Sequence, residues 1–453
     1  MSETPKADWS ELHDPNIRKF FFVGFLILIL LVPIGWIRDL VAEREGRQAG
    51  VKNELTATWG GSQTFVGPLL VVPYLEHWKT DKGEEKTRTC AAWFLPETLA
   101  VDGGVEPERR SRGIFDVILY RTHLTISGTF ARPDFSAWRI DEADVVWDGA
   151  RLAIGITDLR GIEGDPKAHW DEKPLAFAPG VTSAEVISSG MQAVVNDLAA
   201  REPTVHSFSF EIGLAGSDEL RFVPTAKQTD VRLASSWPSP SFVGGFLPLE
   251  RSIDAKGFQA SWRVSYFARS FPQQWRRAEM PNEIDKLLAA SSFGLRMIDP
   301  VDFYTLSDRA VKYASLFVVL TFLAFALFEI LAGLRIHPLQ YLLVGFAICL
   351  FYLMLLSLSE HVGFGVAYAI GTAMTVVLVG AYTRKVLGAA GRAITVSGLL
   401  VALYGYLYVL LQIEDYALLL GTSGLFVILA AVMYLTRNLD WYALGRRPVT
   451  EAV

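Results

Sequence analysis

Cysteine is nearly absent from this chain: two residues, Cys90 and Cys349, in 453. That excludes a disulfide scaffold, which needs many more cysteines in a far shorter chain. Histidine is scarce as well. The seven, at 13, 77, 123, 169, 206, 337 and 361, never fall three to five residues apart, so metal-ligand spacing is missing and no metal or other cofactor is expected. No Gly-x-Ser-x-Gly elbow, phosphate loop ending in Gly-Lys-Ser/Thr, His-Glu-x-x-His or Cys-x-x-Cys occurs. No catalytic residue can therefore be named, and the chain is not expected to be an enzyme, although an unrecognised hydrolase stays open. A basic balance is lacking too: the net charge is −6, which argues against nucleic acid as a partner. Gly 37 and Pro 21 are ordinary usage, against collagen-like or linker-like chains.

Long apolar runs are what the chain does have. Phe20–Ile37 carries no charge, and nothing comparable follows until Tyr313. From there the runs are about 313–334, interrupted by Glu329, then 338–359, 362–383, 393–413 and 416–436. Each is close to the ~20 residues that cross the hydrocarbon layer at ~1.5 Å per residue. The expectation is six transmembrane helices. The first is too long for a signal-peptide core and is followed by no small-x-small cleavage site, so it reads as an uncleaved anchor. The sequence Arg38-Asp39-Leu40-Val41-Ala42-Glu43-Arg44-Glu45 continues it as a helix beyond the membrane.

Charge is partitioned by segment. Residues 1–38 are neutral, residues 309–453 carry +3, and residues 39–308 hold −9. Among the short loops, Arg335 and His337, then Arg384, Lys385 and Arg392, then Arg437, Arg446 and Arg447 fall on one side. Glu360 and His361, then Glu414 and Asp415, fall on the other. The positive-inside rule then predicts both termini in the cytoplasm, a tail at 1–19, a large domain at 38–308 outside, and a tail at 437–453. Arg38, Arg309 and Lys312 flank the translocated segment and oppose this mildly.

The outer segment reads mainly as strands. Apolar residues fall on alternate positions in 206–214, in 258–266 and in 124–127 running into Phe130, which is the pattern of half-buried antiparallel sheet. Asp148-Gly149 reads as a hairpin turn between 145–147 and 152–154. Helix is expected only over 37–53, around 190–201 and over 283–290. The predicted architecture is a sandwich-like, mainly-β domain inserted between helices one and two, with no Gly-, Ser- or Pro-rich linker dividing it. Phe94-Leu95-Pro96 and Phe246-Leu247-Pro248 hint at a duplication. Cys90 lies in this segment and Cys349 in mid-span, so the two cannot pair. Acidic groups such as Asp141 with Asp144, and Asp81 with Glu84 and Glu85, read as solvated surface.

Polar residues in the membrane part are the better site candidates, because an ionisable group there is costly. Glu329 lies about a turn from the end of the second span, and Arg335, His337 and Gln340 follow across a short connection. Glu360 and His361 form the turn between the third and fourth spans. Glu329 paired structurally with Arg335 is the bland reading of the first group; a transport or signalling site is the sharp one.

Several ordered blocks resemble the CreD family of bacterial inner membrane proteins. They are Phe65-Val66-Gly67-Pro68-Leu69, Trp93-Phe94-Leu95-Pro96-Glu97, Trp237-Pro238-Ser239-Pro240-Ser241-Phe242, Ile298-Asp299-Pro300-Val301-Asp302 and Asp308-Arg309-Ala310. His337-Pro338-Leu339-Gln340-Tyr341-Leu342-Leu343-Val344-Gly345, Ser359-Glu360-His361, Leu419-Leu420-Gly421-Thr422-Ser423 and Thr436-Arg437-Asn438-Leu439-Asp440-Trp441-Tyr442 continue the series. Segments 79–88 and 165–201 are less family-like. The resemblance implies an inner-membrane location in Gram-negative bacteria, control by a two-component envelope system, and a role in envelope integrity with effects on colicin tolerance and β-lactam response. It implies no reaction. Two functions follow: an outer β-domain that binds an envelope component (lipid, peptidoglycan or protein) while the spans anchor it in the bilayer, or a transporter or lipid-handling protein using Glu329, Arg335 and His337. The five C-terminal spans carry no obvious internal repeat, which weighs against a secondary transporter. An apolar pocket in the sheets would favour binding; one around Glu329 would favour transport.

Overall fold

The computed structural model describes residues 15–79, 84–182, 185–200, 202–279, 283–298, 303–331, 336–413 and 416–438. Two compact units form: residues 1–48 with 301–453, and residues 49–300.

The first unit is helical. It holds most of α1 (Pro15–Trp59), which passes into the second unit, and α3 (Phe303–Lys312), α4 (Ala314–Leu331), α5 (Pro338–Val362), α6 (Phe364–Val386), α7 (Ala390–Gln412) and α8 (Ala417–Thr436). A short α2 (Ile284–Ala290) belongs to the second unit and fulfils the helix expected over 283–290. Six helices among the described residues are long and apolar enough to cross a membrane, matching the six expected runs. On α1 the buried residues are Leu26, Leu30, Ile34, Ile37 and Val41, a stripe at three- and four-residue spacing. Leu30 packs at Gly345 of α5, so closely that a Cβ on that glycine would collide with the Leu30 Cδ1. The helix expected over 37–53 is simply the continuation of the first span. α3 was not expected: Tyr304, Ser307, Ala310 and Val311 are its buried face, and it precedes α4 by a break at Tyr313.

The second unit is two sheets. The strands are β1 (Gln63–Lys79), β2 (Glu85–Phe94), β3 (Thr98–Arg112), β4 (Phe115–Ala131), β5 (Arg151–Ile156), β6 (Ile162–Trp170), β7 (Lys173–Leu175), β8 (Ala178–Pro179) and β9 (Gly190–Val194). They continue as β10 (Val205–Ser217), β11 (Glu219–Phe222), β12 (Gln228–Ser235), β13 (Pro240–Gly244), β14 (Glu250–Asp254), β15 (Gly257–Ser265), β16 (Gln274–Arg276) and β17 (Phe293–Met297). One sheet runs β13-β17-β11-β1-β5-β9-β8, with β2 pairing with β1 and β16 with β2. The other runs β14-β15-β12-β3-β4-β10-β6-β7. Pairing is mostly antiparallel, as the alternation predicted, with parallel pairs β1–β11 and β3–β12. Alternate residues meet in one core that includes Phe65, Tyr120, Phe130, Phe210 and Trp262. Burial of such side chains contributes roughly 25 cal/mol per Å² of apolar surface. A second cluster, with Leu69, Trp93, Trp275, Ile284 and Leu288, covers the other face of β1, so the middle of that strand is buried on both sides.

Two expectations are corrected. The helix expected around 190–201 is absent over its described residues, 190–200: β9 pairs with β5, and Gly190 lies so close to the Ile154 carbonyl oxygen that a Cβ there would overlap it. The turn at Asp148-Gly149 does not close a hairpin. Trp147–Gly149 is one 3-10 turn, Val145 bridges only Tyr74, and β5 pairs with β1 and β9 instead. Long-range pairing with a doubly buried strand outweighs the local turn preference. The two Phe-Leu-Pro triplets occupy unlike places, Leu95 being 4% exposed and Leu247 71%.

Candidate functional site

The structure separates the membrane candidates into two groups. At the α4–α5 connection, Glu329 accepts from two neutral donors: Tyr341 Oη donates to Oε2 at 3.1 Å, and the Ile336 N–H donates to Oε1 at 3.4 Å. Tyr341 is fully buried beside Phe322 and Phe325. His337 and Gln340 cap a helix at this point. His337 is the N-cap of α5, with Nδ1 accepting from Leu339 N at 3.2 Å, while Gln340 Oε1 accepts from His337 N at 3.0 Å. This reciprocal cap satisfies donors that a helix start leaves open, and Pro338 at the first helical position costs nothing there. Arg335, the expected partner of Glu329, lies outside the described residues. Tyr341 was the group that sequence reasoning missed, although its place one helical turn into α5, just past the cap, is visible in the sequence.

At the other end of α5, Glu360 is drawn into a clasp of three helices. Tyr304 Oη of α3 donates to Glu360 Oε1 at 3.0 Å, and Arg44 Nε of α1 stands 3.8 Å from the same oxygen. The Glu360 side chain is 9% exposed. His361 does not join it; it is exposed in the last turn of α5. One turn further along α3, Asp308 meets Arg38 of α1 at 3.8 Å and Lys312 at 2.7 Å. Neither Arg44 nor Tyr304 had a sequence signal, because each is separated from Glu360 by a long stretch of chain.

Grooves are found elsewhere. Two open ones of about 560 Å³ each lie on the solvent face of the eight-stranded sheet. They share Ala234, Ser252 and Gln259, and Gly104, which has no side chain, lines the first. Around them stand Asp102, Arg232, Glu250, Arg251, Lys256 and Ser261, a mixed-charge, hydrogen-bonding surface. A third groove, about 530 Å³ and almost wholly apolar, lies between α4, α7 and α8, lined by residues such as Leu320, Ala324, Leu400, Tyr406 and Val427. Glu329 does not line it, so the apolar groove lies neither in the sheets nor around Glu329 and meets neither expectation. Thr321 borders it with a buried hydroxyl that has no hydrogen-bond partner among the described residues. Among the described residues no group of three His, Cys, Asp or Glu side chains is placed to share a metal ion. The acidic clusters remain at the surface where described; Asp144 pairs with His77 at 3.1 Å, and Asp81 lies outside the described residues.

Electrostatic perturbation in the β unit follows structural pairings. Bonds from Arg160, with support from Gly61 N–H, hold the Asp158 carboxyl down at about 2. Burial pushes the Tyr74 hydroxyl up to about 12, and burial likewise raises the thiol of neighbouring Cys90. Neither arrangement lies in a groove with a nucleophile and a base, so no acid–base pair is assembled there.

Comparison with known proteins agrees with the architecture. The solved structures with some likeness include M1 zinc metallopeptidase from Deinococcus radiodurans, and a mutant of that enzyme bound to Tyr-Ser-Ala substrate. Their TM-scores are 0.19 at 8% and 9% identity, covering 38% of this chain and 38–39% of theirs, too low to carry any argument. Inner membrane protein CreD of Escherichia coli (strain K12) is 35% identical over 438 residues, 95% of each chain. Residues 15–442 match the family described as Inner membrane protein CreD. With six apolar helices and a large β unit between the first and the rest, this chain belongs to the CreD family of multi-pass inner membrane proteins.

Proposed function

We propose that the protein supports the integrity of the cell envelope by binding an envelope component through its β unit, held on the periplasmic side by six membrane spans. The observation that carries this reading is the pair of adjoining grooves on the solvent face of the eight-stranded sheet. Their serines, glutamine and paired charges suit a ligand rich in donors and acceptors, whether a lipid headgroup, peptidoglycan or a protein surface. The orientation rests on the short loops, whose basic residues gather on one side. Arg38 and Lys312, which stand against it, are both paired with Asp308 and so weigh less. The reading involves no chemistry on the ligand. Photocrosslinking from Gln259 in intact cells tests it. Capture of an envelope lipid, glycan or protein there supports it, while a groove that captures nothing in cells with intact envelopes sinks it.

A lipid-handling function is favoured by one observation, the apolar groove between α4, α7 and α8. It no longer depends on Glu329, which lies outside that groove. Filling the groove with Ala324→Trp should abolish envelope protection under this reading and leave it unchanged under the first.

A further inference from the structure

Strand β14 ends the eight-stranded sheet: it pairs with β15, and no described residue pairs with its other side. All five of its residues are exposed. A free strand edge presents a row of open backbone donors and acceptors, which natural proteins usually blunt or cover. Here the strand carries Glu250, Arg251 and Asp254, and beside these charges apolar side chains are left in water. Leu247 is 71% exposed, Leu249 68% and Ile253 47%. Isolated exposed leucines need no explanation, but three apolar residues beside an open edge do.

The ladder assigns the faces. Arg251 and Ile253 stand opposite Ala260 and Phe258, which are buried, so they project on the core side of the sheet. Glu250 and Ser252 stand opposite Ser261 and Gln259 on the solvent side, where the grooves are. The side of β14 that bears Arg251 and Ile253 thus overhangs the core, while the other side carries Glu250, Ser252 and Asp254.

We propose that β14 is a docking edge for an extended polypeptide segment of another protein, which adds to the eight-stranded sheet as a further strand. The proposal rests on the reading that the β unit binds an envelope component, and it names that component's chemistry. Only another extended backbone matches a row of edge amides and carbonyls, so lipid or glycan fits this edge less well. Charge disfavours a second copy of this chain. Antiparallel self-pairing centred on Ser252 sets Glu250 against Asp254, and centring on Arg251 sets two arginines face to face. Centring on Ile253 leaves only three strand residues before the turn at Ala255 and Lys256. The complementary segment carries apolar residues at alternate positions, facing Ile253, and basic ones between them, facing Glu250 and Asp254.

The test places a photocrosslinking benzoylphenylalanine at Leu249, and separately at Gln259, in the full chain expressed in cells. A polypeptide captured from Leu249 is identified by mass spectrometry, and its crosslinked segment is made as a synthetic peptide. That peptide should protect the amides of residues 250–254 from hydrogen exchange in the full chain held in lipid nanodiscs. Ile253→Lys should lower both capture and protection by roughly tenfold, through loss of one apolar contact and addition of an edge charge. Ile253 is half exposed, so the fold should survive, and an unchanged melting temperature verifies that. Capture of only a second copy, a lipid or a glycan from Leu249, or a peptide that leaves those amides unprotected, overturns the proposal. Capture from Gln259 with none from Leu249 overturns it while leaving the broader binding reading in place. Capture from neither removes both.

Discussion

Among the described residues, Glu329 accepts from the Tyr341 hydroxyl on Oε2 and from the Ile336 N–H on Oε1. In a glutamine the amide oxygen can take the N–H while the amide NH2 donates to the tyrosine hydroxyl, which accepts as well as donates. Glu329→Gln should therefore insert at normal levels and keep envelope protection; a normally inserted but inactive variant would show that the charge itself is used. Tyr341→Phe should cost about 0.5–1.5 kcal/mol in detergent melts, the usual net worth of one hydrogen bond. Glu360 is different, because beside the buried Tyr304 hydroxyl it also faces a cation, Arg44 Nε at 3.8 Å. Glu360→Ala should cost about 1–3 kcal/mol by removing the acceptor of the Tyr304 hydroxyl and the counter-charge of Arg44. A double-mutant cycle with Tyr304→Phe checks this: if the two losses simply add, the contact carries no energy. In the β unit, Asp158 sits at about 2, below its ordinary 3.8. Its contribution to stability is complete above roughly pH 4 and drains away as pH falls through 2, because the unfolded carboxyl takes up its proton first. Asp158→Asn should flatten the acid limb of the unfolding curve in that window.

Elements are decided by where glycine and charge permit close approach. α1 packs Leu30 at Gly345, so Gly345→Val should loosen α1 against α5, since Leu30 is fully buried and has no free direction to turn. A cysteine pair engineered at that crossing reports it: unchanged crosslinking efficiency in the valine variant would refute the tight crossing. The C-terminal part of α1 is held in the β unit by Arg110 and Arg121 over the Trp59 ring and by Lys52 with Asp218 at 2.5 Å. α8 stands at the other extreme, with no buried residue and Tyr406 Oη donating to Leu420 O as one of its few ties to α7. Its apolar surround is supplied by lipid.

For the whole molecule, fusions of a compartment reporter after Arg392 and after Asp415 should report opposite sides of the membrane; agreement between them would break the six-span arrangement. The helices were legible because a span must be a long uncharged run, whatever its neighbours do. Strands such as β10 and β15 were legible because one face meets a core and the other water. The cap at His337 and Gln340 is local as well, and the sequence placed those residues at the right connection without disclosing their role. Tertiary structure alone decided the rest. It turned residues 190–194 into a strand by pairing them with β5, and it left Asp148-Gly149 without a hairpin. It brought Arg44, Tyr304 and Glu360 together from three helices, and left β14 at an open edge with Leu249 and Ile253 in water. The division has one cause: periodicity and capping depend on residues within a turn or two, whereas sheet order and interhelical contacts depend on which distant segments pack together, and no local pattern encodes that choice.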